Sequence, residues 1–238
     1  MTLADILASL FPAGHAVRVT DGLVSGDGPL GASRLAVVGI ADRTALGVDG
    51  ACTLSRHVLD VVQSGDRTPI LVVVDSDSQR MSRRDELLGL NEYLAHLAKT
   101  LLLADAAGHP TLGLIYGHSA AGAFIATALA TRVLAGLPGA DPSVMDLPSV
   151  ARVTKLPLET LQAMARDTPV FAPGLDNMVA AGAVHAVLDP DSPLGPQVEA
   201  LIGQMGADDI RDRLGLERGG RPVAHTIAAR VAQDAGGG

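Results

Sequence analysis

Aromatic side chains are scarce: 238 residues hold two Tyr, three Phe and no Trp. So few rings offer little platform for stacking single-stranded bases. Positive charge is short as well, with 18 Lys and Arg against 26 Asp and Glu, a formal charge of −8. The chain therefore lacks the basic face that releases counterions from a phosphate backbone, which argues against a nucleic-acid binder. A single cysteine, Cys52, excludes a disulfide framework and any multi-thiolate zinc site. On its predicted helix it reads as a small buried hydrophobe. No run of about 18 apolar residues occurs, so no helix is expected to span a membrane. Met1–Leu10 carries no basic segment ahead of a long apolar one, so no signal peptide is read and a cytoplasmic protein is expected. Histidines stand at 15, 57, 96, 109, 118, 185 and 225, and no two have the spacing of a metal-binding helix, so no metal is expected. His57 and His96 read as helix-surface or packing residues. Phosphate loops of the G-x-x-x-x-G-K or G-x-G-x-x-G kind are missing too.

Small residues are abundant instead, with 37 Ala and 27 Gly. At 47 % hydrophobic residues, the length suits one full core or at most two small ones. Three continuous apolar runs, at 35–40, 70–74 and 111–116, are each bounded by Gly, Pro or Asp. Unbroken hydrophobicity of this kind predicts strands covered on both faces. Helices are predicted at 48–64, at 82–107 and from about 120 to 135. The second has leucines at 87, 90, 94, 97 and 101 on one stripe, Ser82 and Asp85 at its start, and Gly108 and Pro110 at its end. Alternating β and α from 35 to 135 imply a parallel sheet with helices packed outside it. Further on, 158–166 reads as a short helix, 183–188 as a strand, 196–205 as a helix and 223–232 as a possible helix, with 136–148 as a loop. No repeat or linker appears, so residues 1–238 are expected to form one domain with a flexible N-terminal segment and a flexible C-terminal tail.

Chemistry is most readily placed at Ile115-Tyr-Gly-His-Ser-Ala-Ala-Gly-Ala-Phe124. A strand ends, a Gly-containing turn follows, and an Ala-rich helix begins with unpaired N–H groups and its macrodipole behind them. Residues 120–123 are all Ala or Gly, so a ligand could approach the backbone closely. Three readings stand side by side. Gly117-His-Ser119-Ala-Ala121 lies one methyl from the G-x-S-x-G nucleophile elbow, with Ser119 as nucleophile, Asp176 or Asp189 as the acid and His225 as base. The same turn could be an oxyanion hole of backbone N–H groups without covalent catalysis. It could also be simple close packing of helix on sheet. The polar run Val74–Glu86 leaves the sheet at the same edge, where open α/β sheets place ligands. Its arginines 80, 83 and 84 could meet a phosphate, a carboxylate or the acidic surface of a partner, although four nearby acids partly neutralise them.

The run Ile70–Glu86 resembles the carboxyltransferase branch of the crotonase-like superfamily, in which a strand ending in Asp-Thr/Ser leads through a loop to an acidic residue and a long helix. Gly117–Phe124 occupies the place of that superfamily's oxyanion turn. The stretches 144–154, 169–177 and 182–189 are more particular and resemble the gamma-subunit family of the biotin-independent malonate decarboxylases, over roughly residues 30–205. Two departures stand out. Asp77-Ser78 replaces the carboxyltransferase Pro-Gly, and Ala120-Ala121 precede Gly122.

The resemblance implies a crotonase-like ββα superhelix with a mostly parallel sheet and outer helices. It also implies a complex in which a homologous beta subunit and this chain decarboxylate a malonyl thioester to an acetyl thioester and CO2. The thioester rides on an acyl-carrier subunit bearing a phosphoribosyl-dephospho-CoA prosthetic group, and an alpha acyltransferase subunit exchanges acetyl for malonyl. No cofactor is expected on this chain itself. The implied catalytic positions are Gly117, His118, Ser119, Ala121 and Gly122, with substrate against Ser76, Ser78, Tyr116 and Ala120. A serine hydrolase built on Ser119 and a non-catalytic partner of the beta subunit are the alternatives.

Overall fold

A computed structural model describes residues 1–167, 172–206 and 208–236. The centre of the fold is an eight-stranded sheet in the order β1-β2-β3-β4-β5-β6-β8, with β7 paired to the far half of β5. The strands are β1 Arg18–Thr20, β2 Leu23–Leu30, β3 Ser33–Ile40, β4 Ile70–Ser76, β5 Thr111–Ala120, β6 Val133–Gly136, β7 Asp141–Ser143 and β8 Ala186–Val187. The first three form an antiparallel meander, and every pairing from β3 onward is parallel. The helices are α1 Leu3–Leu10, α2 Val48–Gln63, α3 Arg83–Leu87, α4 Leu90–Ala106, α5 Ala121–Ala126, α6 Leu147–Thr154, α7 Leu158–Asp167, α8 Leu175–Ala180, α9 Leu194–Gly203, α10 Arg211–Glu217 and α11 Pro222–Gly236.

The three apolar runs are the three inner strands, and their alternate residues serve two cores. Leu35, Val37, Leu71, Val73, Leu112 and Leu114 pack on one side with α1 and α9. Ala36, Val38, Ile70, Val72, Val74 and Ile115 pack on the other with Val58, Leu101 and Phe124. Two-sided burial is what the unbroken hydrophobicity predicted. The β-α-β-α-β order across residues 33–126 makes the parallel sheet expected.

Several elements differ from expectation. The N-terminal segment expected to be flexible contains α1, closed by a Thr2–Asp5 capping box, with Ile6, Leu7 and Leu10 buried in the core. Strands β1 and β2 and helices α6, α8 and α10 were not predicted. These elements are short, and β2 is interrupted by Gly26, Gly28 and Pro29, so its hairpin pairings with β1 and β3 carry little local signal. The predicted helix 82–107 is two helices, because Gly89 takes φ +78 between α3 and α4. Leu87 thereby leaves the stripe and is 76 % exposed, while Leu90, Leu97 and Leu101 stay buried. The predicted helix 120–135 ends at Ala126, and Val133–Gly136 forms strand β6 against β5. The Thr127 and Thr131 hydroxyls donate to the carbonyls of Ala123 and Ala128 as the chain leaves the helix. Ala-rich composition favours helix, but burial beside the sheet overrides it. The predicted loop 136–148 contains β7 and the start of α6, and the strand expected at 183–188 shrinks to β8. Cys52 is exposed, because Ala51, Leu54, Ser55 and Val58 take the inward face of α2. Among the described residues, no helix is long and apolar enough to cross a membrane. Pro169, Val170 and Phe171 of the family-like stretch, and the last two glycines of the tail, lie outside the described residues.

Candidate active site

The C-terminal ends of β3, β4 and β5 converge at one edge of the sheet. Here β5 outruns its neighbour: Val74 pairs with Ile115 and Ser76 with Ser119, so four residue steps of β5 pass two of β4. The excess lies against Asp75, whose carboxylate accepts the His118 N–H at 2.9 Å and the Arg43 N–H at 3.2 Å. Gly117 is needed at this point, since a Cβ there would stand 2.3 Å from Asp75 Oδ1. Tyr116 reaches back to within 3.5 Å of the Ile40 carbonyl. Burial, reinforced by the carboxylates of Asp75 and Asp42, raises its phenol above the ordinary value and keeps it neutral.

The turn expected at Gly117 is instead strand, because β5 runs on through Ala120 and pairs with β7 over His118–Ala120. The reversal falls on Ala121, whose φ of +49 lies in the left-handed region. A residue with a Cβ costs about 1–2 kcal/mol in that conformation, so strain is concentrated where the strand becomes α5. Ala120, Ala121 and Gly122 are part-exposed, and Ala123 is buried. The Gly122 N–H donates to Gln79 Oε1 at 2.8 Å, so a side-chain oxygen from the neighbouring loop already occupies that donor.

Ser119 is not at an elbow. It is fully buried within β5, and its hydroxyl donates to the Val74 carbonyl at 3.3 Å. A nucleophile elbow presents its serine to solvent. The other triad candidates are apart from it: His225 lies on α11, 3.9 Å from Asp212, Asp189 accepts the Ser192 hydroxyl at 2.6 Å, and Asp176 sits in the first turn of α8. The serine-hydrolase alternative thus loses its nucleophile and its relay.

Side chains hold the loop after β4. The Ser76 hydroxyl donates to the Thr44 carbonyl at 2.7 Å, and the Ser78 hydroxyl to the Gln79 carbonyl at 2.9 Å. The backbone zips onto residues 43–46 through Asp77 N–H to Arg43, Leu46 N–H to Ser78 and Arg80 N–H to Leu46. Two of the loop's own donors, on Asp77 and Arg80, are thereby taken. Asp85, fully buried, anchors the far end: Arg80 Nε lies 2.5 Å from one oxygen and Nη2 3.0 Å from the other, while the Ser82 hydroxyl adds a bond at 2.8 Å. The Arg80 contact, then the Ser82 and Val48 hydrogen bonds, hold this carboxyl far below the ordinary range despite its desolvation. Arg84 pairs with Asp49 at 2.7 Å. Two of the three loop arginines, Arg80 and Arg84, therefore pair with carboxylates of this chain, and Arg83 is exposed.

The geometry brings Tyr116, Gly117, His118, Ala121, Gly122 and the 76–79 loop to one edge. Sequence reasoning missed Asp75, Gln79 and Asp141. The first two sit inside the polar run already singled out. Asp141 follows Pro138-Gly139 at the end of a strand, and that punctuation is the signal that could have found it.

The family model "Malonate decarboxylase gamma subunit" matches residues 41–235. The chain belongs to this family. Among curated relatives, the malonyl-S-ACP:biotin-protein carboxyltransferase MADD of Malonomonas rubra is 29 % identical over 184 residues, 70 % of this chain and 62 % of that protein. The gamma-subunit-family chain thus spans about three fifths of that relative's length. Among solved structures, a Pseudomonas malonate decarboxylase hetero-tetramer in complex with coenzyme A superposes with a TM-score of 0.82 at 20 % identity, covering 97 % of this chain and 98 % of that one. The Pseudomonas MdcD–MdcE hetero-dimer gives 0.76 at 24 %, with 97 % of each chain covered. The transcarboxylase 12S core gives 0.70 at 15 %, covering 85 % of this chain and 41 % of that one. These likenesses establish the crotonase-like α/β fold expected of the gamma-subunit family.

Proposed function

We propose that this chain acts with a homologous beta subunit as a carboxy-lyase, converting malonyl to acetyl thioester on an acyl-carrier subunit and releasing CO2. The observation that carries the reading is the match to the malonate decarboxylase gamma-subunit family over residues 41–235. At the site, the Gly122 N–H at the β5–α5 junction donates to the Gln79 amide oxygen at 2.8 Å. That separation lies in the range for a donor to a developing oxyanion. On this reading the Gln79 side chain gives way and a thioester or carboxylate oxygen accepts the Gly122 N–H in its place.

The chemistry needs little else from side chains. Cleaving the bond between the malonyl methylene and its carboxylate sends the electron pair into the thioester carbonyl, giving an enolate and neutral CO2. One well-placed backbone donor contributes about 2.7–4 kcal/mol to stabilising such an oxygen. A dry pocket further favours converting the charged carboxylate to CO2. The enolate carbon then takes one proton, for which His118, at the β5 end with 24 % of its side chain exposed, is the donor on this reading. The prosthetic group of the acyl carrier reaches this chain only as the arm of the thioester, against the small residues 120–123. An alpha acyltransferase subunit reloads the carrier.

A second reading, a non-catalytic partner of the beta subunit, is favoured by one feature: the Gly122 N–H is already bonded to Gln79. Reconstitution separates the two. On the first reading neither subunit alone releases CO2 from malonyl thioester, and mixing them restores turnover. Gln79→Ala, which unblocks the donor, should then keep or raise the rate. Full activity of the beta subunit without this chain would overturn the catalytic reading.

A further inference from the structure

His118 has a neighbour that the reaction above does not use. Its Nδ1 lies 3.2 Å from Asp141 Oδ2. The pair is built by register, because His118 and Asp141 are directly opposed across the parallel β5–β7 ladder. The ladder holds one end of the pair, and Asp75 holds the other by accepting the His118 backbone N–H at 2.9 Å. An ionised carboxylate only accepts hydrogen bonds, so this contact places the proton on Nδ1. The second ring nitrogen, Nε2, is then the one left to exchange a proton. Asp141 is 63 % exposed, and an ion pair in that setting contributes little to stability. Its value must be looked for in orientation.

We propose that Asp141 is a positioning residue: it holds the His118 ring with Nδ1–H toward β7 and turns Nε2 toward the reacting carbon. The assignment rests on the decarboxylase reading for its chemistry and on the register for its geometry. The imidazolium form gives its Nε2 proton to the enolate carbon, forming the C–H bond of the acetyl thioester. The ring is left neutral with Nδ1–H still on Asp141, and solvent water returns the proton to Nε2. Losing Asp141 frees the ring to rotate and to take the other tautomer. That slows protonation and leaves thioester binding untouched.

The test uses the reconstituted complex with malonyl thioester, and 15N imidazole spectra of the full chain. His118→Ala is expected to lower kcat roughly 100-fold and Asp141→Asn about tenfold or more, each with KM within about twofold. Because the two act as a unit, the double variant should be no slower than His118→Ala alone. Added imidazole should partly rescue His118→Ala, and Asp141→Glu should recover part of the Asp141→Asn loss. In the spectra, His118 should be the Nδ1–H tautomer in the parent chain and shift toward Nε2–H in Asp141→Ala. Multiplying losses in the double variant, or a change in KM in place of kcat, would overturn the proposal while decarboxylation itself stands. So would an Nε2–H tautomer in the parent chain. If the parent complex releases no CO2, the functional reading fails, and the tautomer alone then decides for or against Asp141.

Discussion

The segment leaving β4, residues 76–85, is tied down by a run of side-chain contacts, whereas the junction leaving β5, residues 117–123, has the His118–Asp141 and Ser119–Val74 contacts amid Ala and Gly. In the first, Ser76, Ser78, Arg80, Ser82 and buried Asp85 each hold a defined partner. In the second, the shape comes from an over-long strand, a glycine pressed on Asp75 and a strained Ala121. The contrast separates a supporting loop from the candidate reaction surface. A charge-balanced loop backs a stretch of small residues, and the Gln79–Gly122 hydrogen bond bridges the two beside the Ser76–Ser119 strand pairing.

The comparison can be broken most severely at its small-residue side. Gly117→Val would drive a Cβ into Asp75 and displace the carboxylate that holds the His118 N–H. Displacements near 1 Å at a reacting centre cost on the order of 100-fold, so CO2 release by the complex should fall by about that much. Gln79→Glu addresses the bridge. A carboxylate grips the Gly122 N–H more strongly than an amide and repels an anionic substrate, so turnover should drop roughly tenfold, in contrast to Gln79→Ala. Equal rates for the two variants would show that the bridge is incidental.

The supporting side should answer in stability. Asp85→Ala strands Arg80 and Ser82 and should lower Tm by several degrees at pH 7, measured by calorimetry. The sign with pH follows from its depressed carboxyl. The folded chain binds the proton less readily than the unfolded one, whose ordinary value is near 3.8. The stabilisation is therefore complete well above that value and is lost as pH falls below it. The gap between parent and Asp85→Ala should close in acid, and a gap that persisted there would assign the effect to packing. The smallest effect is expected of Ser119→Ala. One long hydrogen bond to a strand carbonyl is removed, about 0.5–1.5 kcal/mol, with turnover changed less than threefold and no labelling by a fluorophosphonate. Labelling at Ser119 would reinstate a nucleophile and dissolve the contrast.

The inner strands were legible because Leu35–Ile40, Ile70–Val74 and Thr111–Tyr116 are unbroken apolar runs, and burial on both faces needs no other signal. The edge of the sheet that holds the candidate site was legible for the same reason, since the chain leaves each run in polar or small residues. What failed was local. Gly117-His-Ser119 reads as a turn, yet β7 supplies a partner that keeps it in the sheet. Ala126–Gly136 reads as helix, yet β5 draws its end into a strand. In both cases a pairing across some twenty residues outweighs a propensity of under a kcal/mol per residue.

By itself the sequence determined the parallel α/β core, the sheet edge that holds the candidate site and, through its later segments, the likeness to the gamma-subunit family. Those depend on composition and order along the chain. Only the tertiary structure decided that Ser119 is buried, that Arg80 and Arg84 serve internal acids, that Gln79 covers the Gly122 N–H and that Asp141 faces His118. Each of these is a contact between residues 5 to 45 positions apart, fixed by strand register and by the desolvation of charges, and no local pattern encodes either.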